Sequence, residues 1–192
     1  MAQEIVIVGA GGLGREVAAM ISRHFSQKYS LAGFVDDQVT PHDTVNGKYV
    51  LGDINWLQEQ PATQVVIALG DPGLRQKVQE RLAATAHKFP ALVHPGAEAD
   101  EAHFVQIGEG SIVLGGTVLT TNISLGKFVL VNQGCSLNHD THVGHFSTLM
   151  PGVRISGSAQ VGERSYLGTG TIIASYHKLP AETHLQAGTV ME

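Results

Sequence analysis

Residues 125–148 read LGKFVL VNQGCS LNHDTH VGHFST, four six-residue units that each begin with Leu or Val. The same spacing continues on both sides of this stretch. Fourteen successive first positions are all Ile, Leu or Val: Ile107, Val113, Leu119, Leu125, Val131, Leu137, Val143, Leu149, Ile155, Val161, Leu167, Ile173, Leu179 and Leu185. A fixed internal period is typical of solenoid folds. A six-residue unit is too short for a helix and predicts a short strand followed by a turn.

A second, longer period divides the units into groups of three. An aliphatic residue followed by glycine recurs every 18 residues, at Ile107-Gly108, Leu125-Gly126, Val143-Gly144 and Val161-Gly162. The fifth position of each unit is mostly small or branched, as at Ser111 and Cys135, so the first and fifth positions are predicted to point inward. These features predict a three-sided parallel β-helix of about five coils over residues 107–190, with neighbouring coils paired ~4.8 Å apart.

The first half of the chain has a different pattern, in which strands alternate with helices. An apolar run at residues 4–8 is followed by the glycine turn GAGGLG at residues 9–14 and by helical spacing over residues 15–21. A second apolar run, residues 31–35, ends in Asp36-Asp37. This order is the beginning of a Rossmann unit, in which glycines let the backbone approach phosphate and a carboxylate after the second strand contacts a ribose.

Two more apolar segments complete this half. Residues 63–69 predict a third strand, with Pro72 at the start of the next helix, and residues 88–94 predict a further strand. A full dinucleotide fold needs two βαβαβ halves, and this segment is long enough for one. The sequence therefore predicts an α/β half-Rossmann domain over residues 1–94, with a pocket for a mononucleotide or a nucleotide sugar, and a β-helix domain over residues 95–192.

Composition and charge exclude several classes of function. The chain has 192 residues, with 12 Lys and Arg against 17 Asp and Glu, so its net charge of −5 disfavours nucleic acid and anionic membrane surfaces as partners. A single cysteine rules out an intrachain disulfide and fits a reducing compartment. No apolar run is long enough for a membrane span and no secretory leader is recognisable. A soluble, cytoplasmic protein without nucleic-acid or membrane partners is expected.

Together the two halves resemble the bacterial sugar acetyltransferases built from hexapeptide repeats, of the sialic acid O-acetyltransferase and UDP-4-amino-sugar N-acetyltransferase type. The residues that carry the resemblance are Gly9–Gly14, Phe34–Asp37, Ala68–Gly70 with Arg75, Asn132, His139-Asp140 and Val143–Ser147. The resemblance implies a left-handed coil, although the rule for parallel crossovers favours a right-handed one. It also implies an acetyl-CoA donor, a nucleotide-sugar acceptor bound by the N-terminal domain, and a homotrimer with active sites between neighbouring β-helices.

The catalytic candidates are His139 and Asp140. His139 is the third residue of its unit, so it is expected to point outward, where an imidazole can take a proton from an attacking amine or hydroxyl. In the family this histidine is the general base, and the acidic residue after it strengthens it. One coil further along lies Gly157, whose N–H is a candidate donor to the oxyanion of the thioester. Since the acceptor attacks directly, no nucleophilic side chain is needed and Cys135 is expected in the core.

The binding candidates come from the same resemblance. The positions that match acceptor contacts are Gly11, Gly12, Leu13, Asp36, Asp37, Gly70 and Asn132, and those that match acetyl-CoA contacts are Thr148, Thr169 and Ala187. At Leu13 and Thr148 the family often has histidine, so a polar contact is lost at each. Thr169 and Ala187 are 18 residues apart and are therefore expected in one column of adjacent coils. Asn132 is nearly as well explained as the cap of a β-helix corner.

The expected function is acetyl-CoA-dependent N-acetylation of a nucleotide-linked amino sugar, and several alternatives stay open. An O-acetyltransferase acting on a sugar or sialic acid would use the same base. A non-catalytic scaffold would explain Leu13 and Thr148 as marks of a lapsed enzyme, and a dehydrogenase would use the glycine turn for NAD. His139, His142 and His145 suggest zinc, as in the γ-type carbonic anhydrases, but they should face different directions and no metal is expected, since ligands must converge on one point.

Overall fold

The structure is a computed structural model that describes residues 2–99 and 104–192. It divides into two compact units. The first ends at Pro90 and the second runs from Ala91 to Glu192, with the short segment Asp71–Gly73 grouped with the second. The predicted boundary after His94 differs from this division by a few residues.

The N-terminal unit is an α/β domain around one sheet. Its elements are β1 (Gln3–Val8), α1 (Gly12–His24), β2 (Tyr29–Val35), β3 (Thr44–Val45), β4 (Lys48–Gly52), α2 (Ile54–Gln58), β5 (Gln64–Ile67) and α3 (Pro72–Leu82). The strand order is β3-β4-β2-β1-β5, in which only β3 is antiparallel to its neighbour. This is the predicted strand, glycine turn and helix arrangement. The central strands are buried, as expected for parallel strands covered on both faces.

Two glycines of the turn are required by close packing. Gly9 has a φ of +104°, a value that strongly favours glycine. A Cβ on Gly14 would overlap the carbonyl oxygen of Gly9, so the first turn of α1 can pack here only without a side chain. These two residues bring the end of β1 and the start of α1 together.

The structure differs from the prediction at two places in this unit. The elements β3, β4 and α2 had no periodic signal and were not predicted. The prediction of a single strand over residues 88–94 is wrong. Lys88 bridges to Gln64 at the edge of the N-terminal sheet. Leu92-Val93 instead pairs with Ile112-Val113 in the β-helix. Pro90 lies between these pairings, and proline has no N–H to donate to a ladder.

The second unit is a three-sided parallel β-helix. Its two-residue strands are β6 (Leu92–Val93), β7 (Glu98–Ala99), β8 (Gln106–Ile107), β9 (Ile112–Val113), β10 (Val118–Leu119), β11 (Ser124–Leu125), β12 (Leu130–Val131), β13 (Ser136–Leu137), β14 (His142–Val143), β15 (Thr148–Leu149), β16 (Arg154–Ile155), β17 (Gln160–Val161), β18 (Tyr166–Leu167), β19 (Ile172–Ile173), β20 (Lys178–Leu179), β21 (His184–Leu185) and β22 (Val190–Met191). They form three sheets, each containing every third strand, so each sheet is one side of the coil.

The β-helix begins before the residue at which the repeat was recognised. From Gln106 onward, paired residues are 18 apart, as in Gln106 with Ser124. In the first coil the separation is 20, as in Leu92 with Ile112 and Glu98 with Val118. Two additional residues therefore lie between Ala99 and Gln106, in a segment that includes residues outside the described part, and they shift the first coil out of the six-residue frame.

The predicted inward positions form the core. Among the buried residues of the β-helix are the first-position residues Val131, Leu137 and Val143 and the fifth-position residues Cys135 and Ser147. The repeated glycines allow the coils to approach, because a Cβ on Gly108, Gly126, Gly144 or Gly162 would overlap backbone atoms of the next coil. Leu185, near the end of the described β-helix, is half-buried.

The three corners of the coil differ in the residue that takes a left-handed conformation. The first, which we call the glycine corner, has Gly116, Gly134, Gly152, Gly170 and Gly188. The second, which we call the histidine corner, has Phe104, Asn122, Asp140, Ser158 and Tyr176. The third has Gly110, Phe128, Phe146, Arg164 and Glu182. Within the described residues, no helix has the length and hydropathy needed to cross a membrane.

Candidate active site

His139 and Asp140 form a hydrogen-bonded pair on the histidine corner. The distance from His139 Nδ1 to Asp140 Oδ2 is 2.8 Å, and both side chains are exposed, at 59% and 52%. An ionised carboxylate only accepts hydrogen bonds, so Nδ1 is the donor. In the neutral imidazole the lone pair is then on Nε2, which is the atom that can accept a proton.

Asp140 has a second partner from the preceding coil. Asn122 Nδ2 donates to Asp140 Oδ1 at 3.0 Å, so both carboxylate oxygens accept a hydrogen bond. The bonds from His139 and then Asn122 hold the pKa of the Asp140 carboxyl below its ordinary value. Asn122 was not among the residues predicted for the site. The 18-residue spacing that pairs His139 with Gly157 also pairs Asn122 with Asp140. Counting along the coil could therefore have identified Asn122 as a neighbour of Asp140.

Gly157 lies directly against the His139 ring. A Cβ built on Gly157 would overlap Cε1 and Nε2 of His139, so the imidazole packs on a bare backbone position in the next coil. Ser158 N–H donates to the His139 carbonyl at 2.8 Å and fixes the two coils in this register. Within the described part of the chain, the Gly157 N–H donates no hydrogen bond. A free donor beside a base is the arrangement that stabilises an oxyanion in acyl transfer.

Thr169 and Ala187 lie in one column, as predicted from their spacing. Both are exposed, and Gly188 N–H donates to the Thr169 carbonyl at 2.8 Å. They precede Gly170 and Gly188 in the glycine corner, where an added Cβ would meet no atom within 4 Å. The other two corners tolerate Asn, Asp and Phe in the same left-handed conformation. The left-handed conformation alone therefore does not explain why the glycine corner has glycine in successive coils. Close approach of another molecule to the backbone at this corner would explain it.

Two other predicted contact residues are more enclosed. Asn132 is 7% exposed, and its Oδ1 accepts a hydrogen bond from Gln133 N–H at 3.1 Å. It therefore caps the turn that leads into the glycine corner. Thr148 is fully buried in β15, between Leu130 and Tyr166 of the neighbouring strands. The predicted contacts of Asn132 with acceptor and of Thr148 with acetyl-CoA stay predictions, and neither residue lies on the histidine corner.

In the N-terminal unit, the glycine turn presents bare backbone at the start of α1. Gly11 and Gly12 are exposed, and a Cβ on either would meet no atom within 4 Å. Gly11 is the N-cap of α1 and offers no side-chain cap to the first N–H groups, while the half-buried Leu13 lies in the first turn. Unlike Gly9 and Gly14, these glycines are not required by packing within the protein. A helix N-terminus with uncapped N–H groups favours an anion such as phosphate.

Asp36 and Asp37 lie beside this turn at the end of β2. Asp36 Oδ2 accepts a hydrogen bond from Ala10 N–H at 2.8 Å. Asp37 Oδ2 pairs with Arg81 at 3.0 Å and its Oδ1 accepts from Ile54 N–H. The Ile54 bond is the main reason that the pKa of Asp37 is lowered, with Arg81 adding to it. The Asp37 carboxyl is thus ionised at neutral pH.

A cavity of about 180 Å³ opens at the two aspartates. It is lined mainly by apolar side chains from the ends of β1 and β2 and from α3, among them Val8, Val35 and Val78. Gly70, the last predicted acceptor residue, follows β5, and its carbonyl is 3.4 Å from the buried Arg75 Nη1. A small apolar cavity beside a glycine turn at the carboxyl ends of parallel strands is a typical nucleotide position.

Cys135 is excluded as a nucleophile by its surroundings. It is fully buried in the β-helix core, and burial raises the pKa of its thiol to about 11. Thiolate is the reactive form of cysteine. We therefore expect the native protein to react with a thiol reagent such as dithionitrobenzoate only after unfolding, and its activity to be unchanged by exposure to the reagent. Rapid labelling of the native protein with loss of activity would contradict this placement.

Two of the three histidines considered as metal ligands make hydrogen bonds to different residues. His139 pairs with Asp140, His145 Nδ1 accepts Lys127 N–H at 2.7 Å, and His142 is exposed on β14. Among the residues that the structure describes, no three His, Cys, Asp or Glu side chains are grouped so that they could hold a metal ion.

Comparison with known proteins gives one family match and several whole-chain structural matches. Residues 4–82 match the family described as the PglD N-terminal domain. A comparison with curated proteins gives no match. The acetyltransferase domain of PglB from Neisseria gonorrhoeae FA1090 is 28% identical, with 99% of this chain and 91% of that chain covered and a TM-score of 0.90. Its complex with acetyl coenzyme A is 28% identical, with coverages of 100% and 92% and a TM-score of 0.89.

A third solved structure extends the comparison to a second organism. A histidine-to-asparagine variant of perosamine N-acetyltransferase from Caulobacter crescentus, in complex with CoA and GDP-perosamine, is 28% identical. It is matched over 98% of this chain and 88% of that chain, with a TM-score of 0.89. These matches confirm the predicted fold class, including the left-handed β-helix. By class the chain is an acyltransferase, and over its whole length it is similar to hexapeptide-repeat sugar acetyltransferases.

Proposed function

We propose that the protein transfers an acetyl group from acetyl-CoA to the amine of a nucleotide-linked amino sugar. The observation that carries the proposal is the His139 imidazole, which is oriented by Asp140 and packs against the backbone of Gly157, a residue whose N–H donates no hydrogen bond within the described structure. Two solved proteins of similar sequence and fold are an acetyltransferase domain bound to acetyl coenzyme A and a perosamine N-acetyltransferase bound to CoA and GDP-perosamine.

The proposed chemistry is a direct transfer without a covalent enzyme intermediate. His139 Nε2 takes the proton from the acceptor amine as the nitrogen attacks the thioester carbonyl. The Gly157 N–H donates to the carbonyl oxygen as negative charge develops on it. When the C–S bond breaks, the thiolate of CoA leaves and takes up a proton. Asp140 keeps the imidazole in the tautomer with the lone pair on Nε2.

We place the pantetheine arm of acetyl-CoA along the glycine corner, over Thr169 and Ala187. This corner and the histidine corner are separated by one full side of the coil, and six residues span at most ~20 Å. A neighbouring chain in a homotrimer, with its glycine corner against the histidine corner of the first, would bring the two together. Such an assembly has three times the 20.3 kDa mass of the chain. We also propose that the protein is located in the cytoplasm, as the sequence predicts.

The nucleotide part of the acceptor is assigned to the N-terminal unit. The uncapped first turn of α1 at Gly11, Gly12 and Leu13 would hold phosphate. The cavity beside Asp36 and Asp37 would hold the nucleoside, where an ionised carboxylate can accept hydrogen bonds from a ribose or a base.

A change at Gly12 tests this assignment. Gly12→Ala introduces a methyl group into open space on the protein, so the melting temperature should not fall. The methyl group would obstruct the approach of phosphate, and we expect KM for the nucleotide sugar to rise about ten-fold, with KM for acetyl-CoA unchanged. Steady-state kinetics with each substrate varied in turn measure both values. An unchanged KM for the nucleotide sugar would show that its phosphate does not bind at the glycine turn.

The reaction itself is tested by following CoA release with acetyl-CoA and a panel of UDP-, dTDP- and GDP-linked 4-amino sugars. Turnover with one amino sugar supports the proposal and names the acceptor. Turnover only with hydroxyl acceptors would favour O-acetylation instead. If no acceptor turns over and acetyl-CoA does not raise the melting temperature, the protein is a scaffold rather than a transferase.

A further inference from the structure

The exposed pair of His139 and Asp140 needs a third group to hold it in place. Adjacent residues with both side chains exposed can adopt several rotamers, and an isolated surface ion pair is weakly held. A base must be oriented toward the proton that it removes, so loose orientation lowers the rate of transfer.

The neighbouring coil supplies such a group in Asn122. Its Nδ2 is 3.0 Å from Asp140 Oδ1, while Asp140 Oδ2 is 2.8 Å from His139 Nδ1. With one oxygen held from each side, the carboxylate cannot rotate without breaking a hydrogen bond. Asn122 and Asp140 both take the left-handed backbone conformation, with φ of 54° and 61°, which places their side chains one above the other on the same corner.

The chemistry of the amide suits this role. Asn122 donates to the carboxylate without bringing a charge, so Asp140 keeps its negative charge for His139. A lysine or arginine at the same place would compete with the imidazole for the carboxylate. Among the residues that the structure describes, His139 is the titratable group that acts on Asp140, and the other partner of Asp140, Asn122, is neutral.

We propose that Asn122 is a positioning residue of the active site, which acts through Asp140 to orient the His139 base. This inference rests on the proposed function for its kinetic consequences, but not for the contact itself. Asn122, Asp140 and His139 then form a chain of three side chains that crosses from one coil to the next, with only the imidazole touching the acceptor.

The test uses the full chain with Asn122→Gly, which removes the amide and suits the left-handed backbone, so the fold is retained. We expect kcat to fall about ten-fold with KM for acetyl-CoA unchanged. In an Asp140→Ala background, Asn122→Gly should have no further effect, because its target is absent. An equal loss in both backgrounds, or no loss in either, would overturn the proposal.

The matched control is Arg164→Gly. Arg164 also has a left-handed backbone, and its Nη2 pairs with Glu182 of the next coil at 2.8 Å. Like Asn122→Gly, this variant removes a side-chain contact between two neighbouring coils, but at a different corner. We expect wild-type kcat. A ten-fold loss in Arg164→Gly as well would show that any weakened coil contact lowers activity, and would overturn a specific role for Asn122.

A measurement independent of turnover separates this proposal from the proposed function. Titration of the Asp140 carboxyl followed by carbon NMR should give a higher pKa in Asn122→Gly than in the wild type, because one stabilising donor is lost. If the wild type transfers no acetyl group to any acceptor, the proposed function fails, whereas this shift would still support the contact. An unchanged Asp140 pKa would overturn the inference whatever the activity.

Discussion

His139→Ala is expected to lower kcat about 10³-fold, the middle of the range for loss of a general base. The acceptor amine would then have to lose its proton to water. Because the His139 side chain is 59% exposed and makes its hydrogen bond at the surface, we expect little change in the melting temperature. The measurement is the rate of CoA release at saturating acetyl-CoA and acceptor, together with a thermal denaturation curve.

The control for this variant is His142→Ala. His142 is also exposed, three residues further along, but it lies on the outer face of β14 and contacts neither His139 nor Asp140 in the described structure. We expect it to retain wild-type kcat. If His139→Ala retained more than a tenth of the wild-type rate, His139 would not be the general base.

Gly157→Ala is expected to lower kcat about 10²-fold through a single added methyl group. The new Cβ would overlap Cε1 and Nε2 of His139, so the ring must leave its position over Gly157. Displacement of a catalytic group by about 1 Å can cost this much in rate. The fold should be retained, because the φ of Gly157 lies outside the left-handed region and the obstructing atoms belong to an exposed side chain that can move.

A glycine outside the site provides the matched control for this change. At Gly73 in α3 an added Cβ meets only Asp71 Oδ1, at 3.4 Å, so Gly73→Ala should keep both stability and activity. The kinetic constants and the melting temperature of both variants are measured side by side. A Gly157→Ala protein with wild-type kcat would show that the position of the ring over Gly157 is unimportant for transfer.

Much of the fold follows from local rules in the sequence. The six-residue period predicts which side chains of the β-helix point inward. Aliphatic residues such as Val131 recur at the first position of each unit, and mostly small or branched residues such as Cys135 recur at the fifth. The first coil was missed because two additional residues before Gln106 break that period. The handedness came from the resemblance alone, because six-residue spacing is the same in a coil of either hand.

The candidate site was predictable only in part, for a physical reason. The outward position of His139 and its approach to Gly157 follow from counting along the coil. The contact of Asn122 with Asp140 obeys the same count, but it also depends on two side-chain rotamers and a left-handed backbone at both residues. In the N-terminal unit, the partners of Asp36 and Asp37 come from elements far apart in sequence, such as Arg81, which no spacing rule connects.

The most direct test of the account is the mass of the amino-sugar nucleotide after incubation with acetyl-CoA and the wild-type protein, read before and after mild alkali. The account predicts the gain of one acetyl group that resists alkali, as an amide does, and no gain with His139→Ala. An acetyl group that alkali removes would mean transfer to a hydroxyl, and an unmodified acceptor throughout the panel would contradict the account.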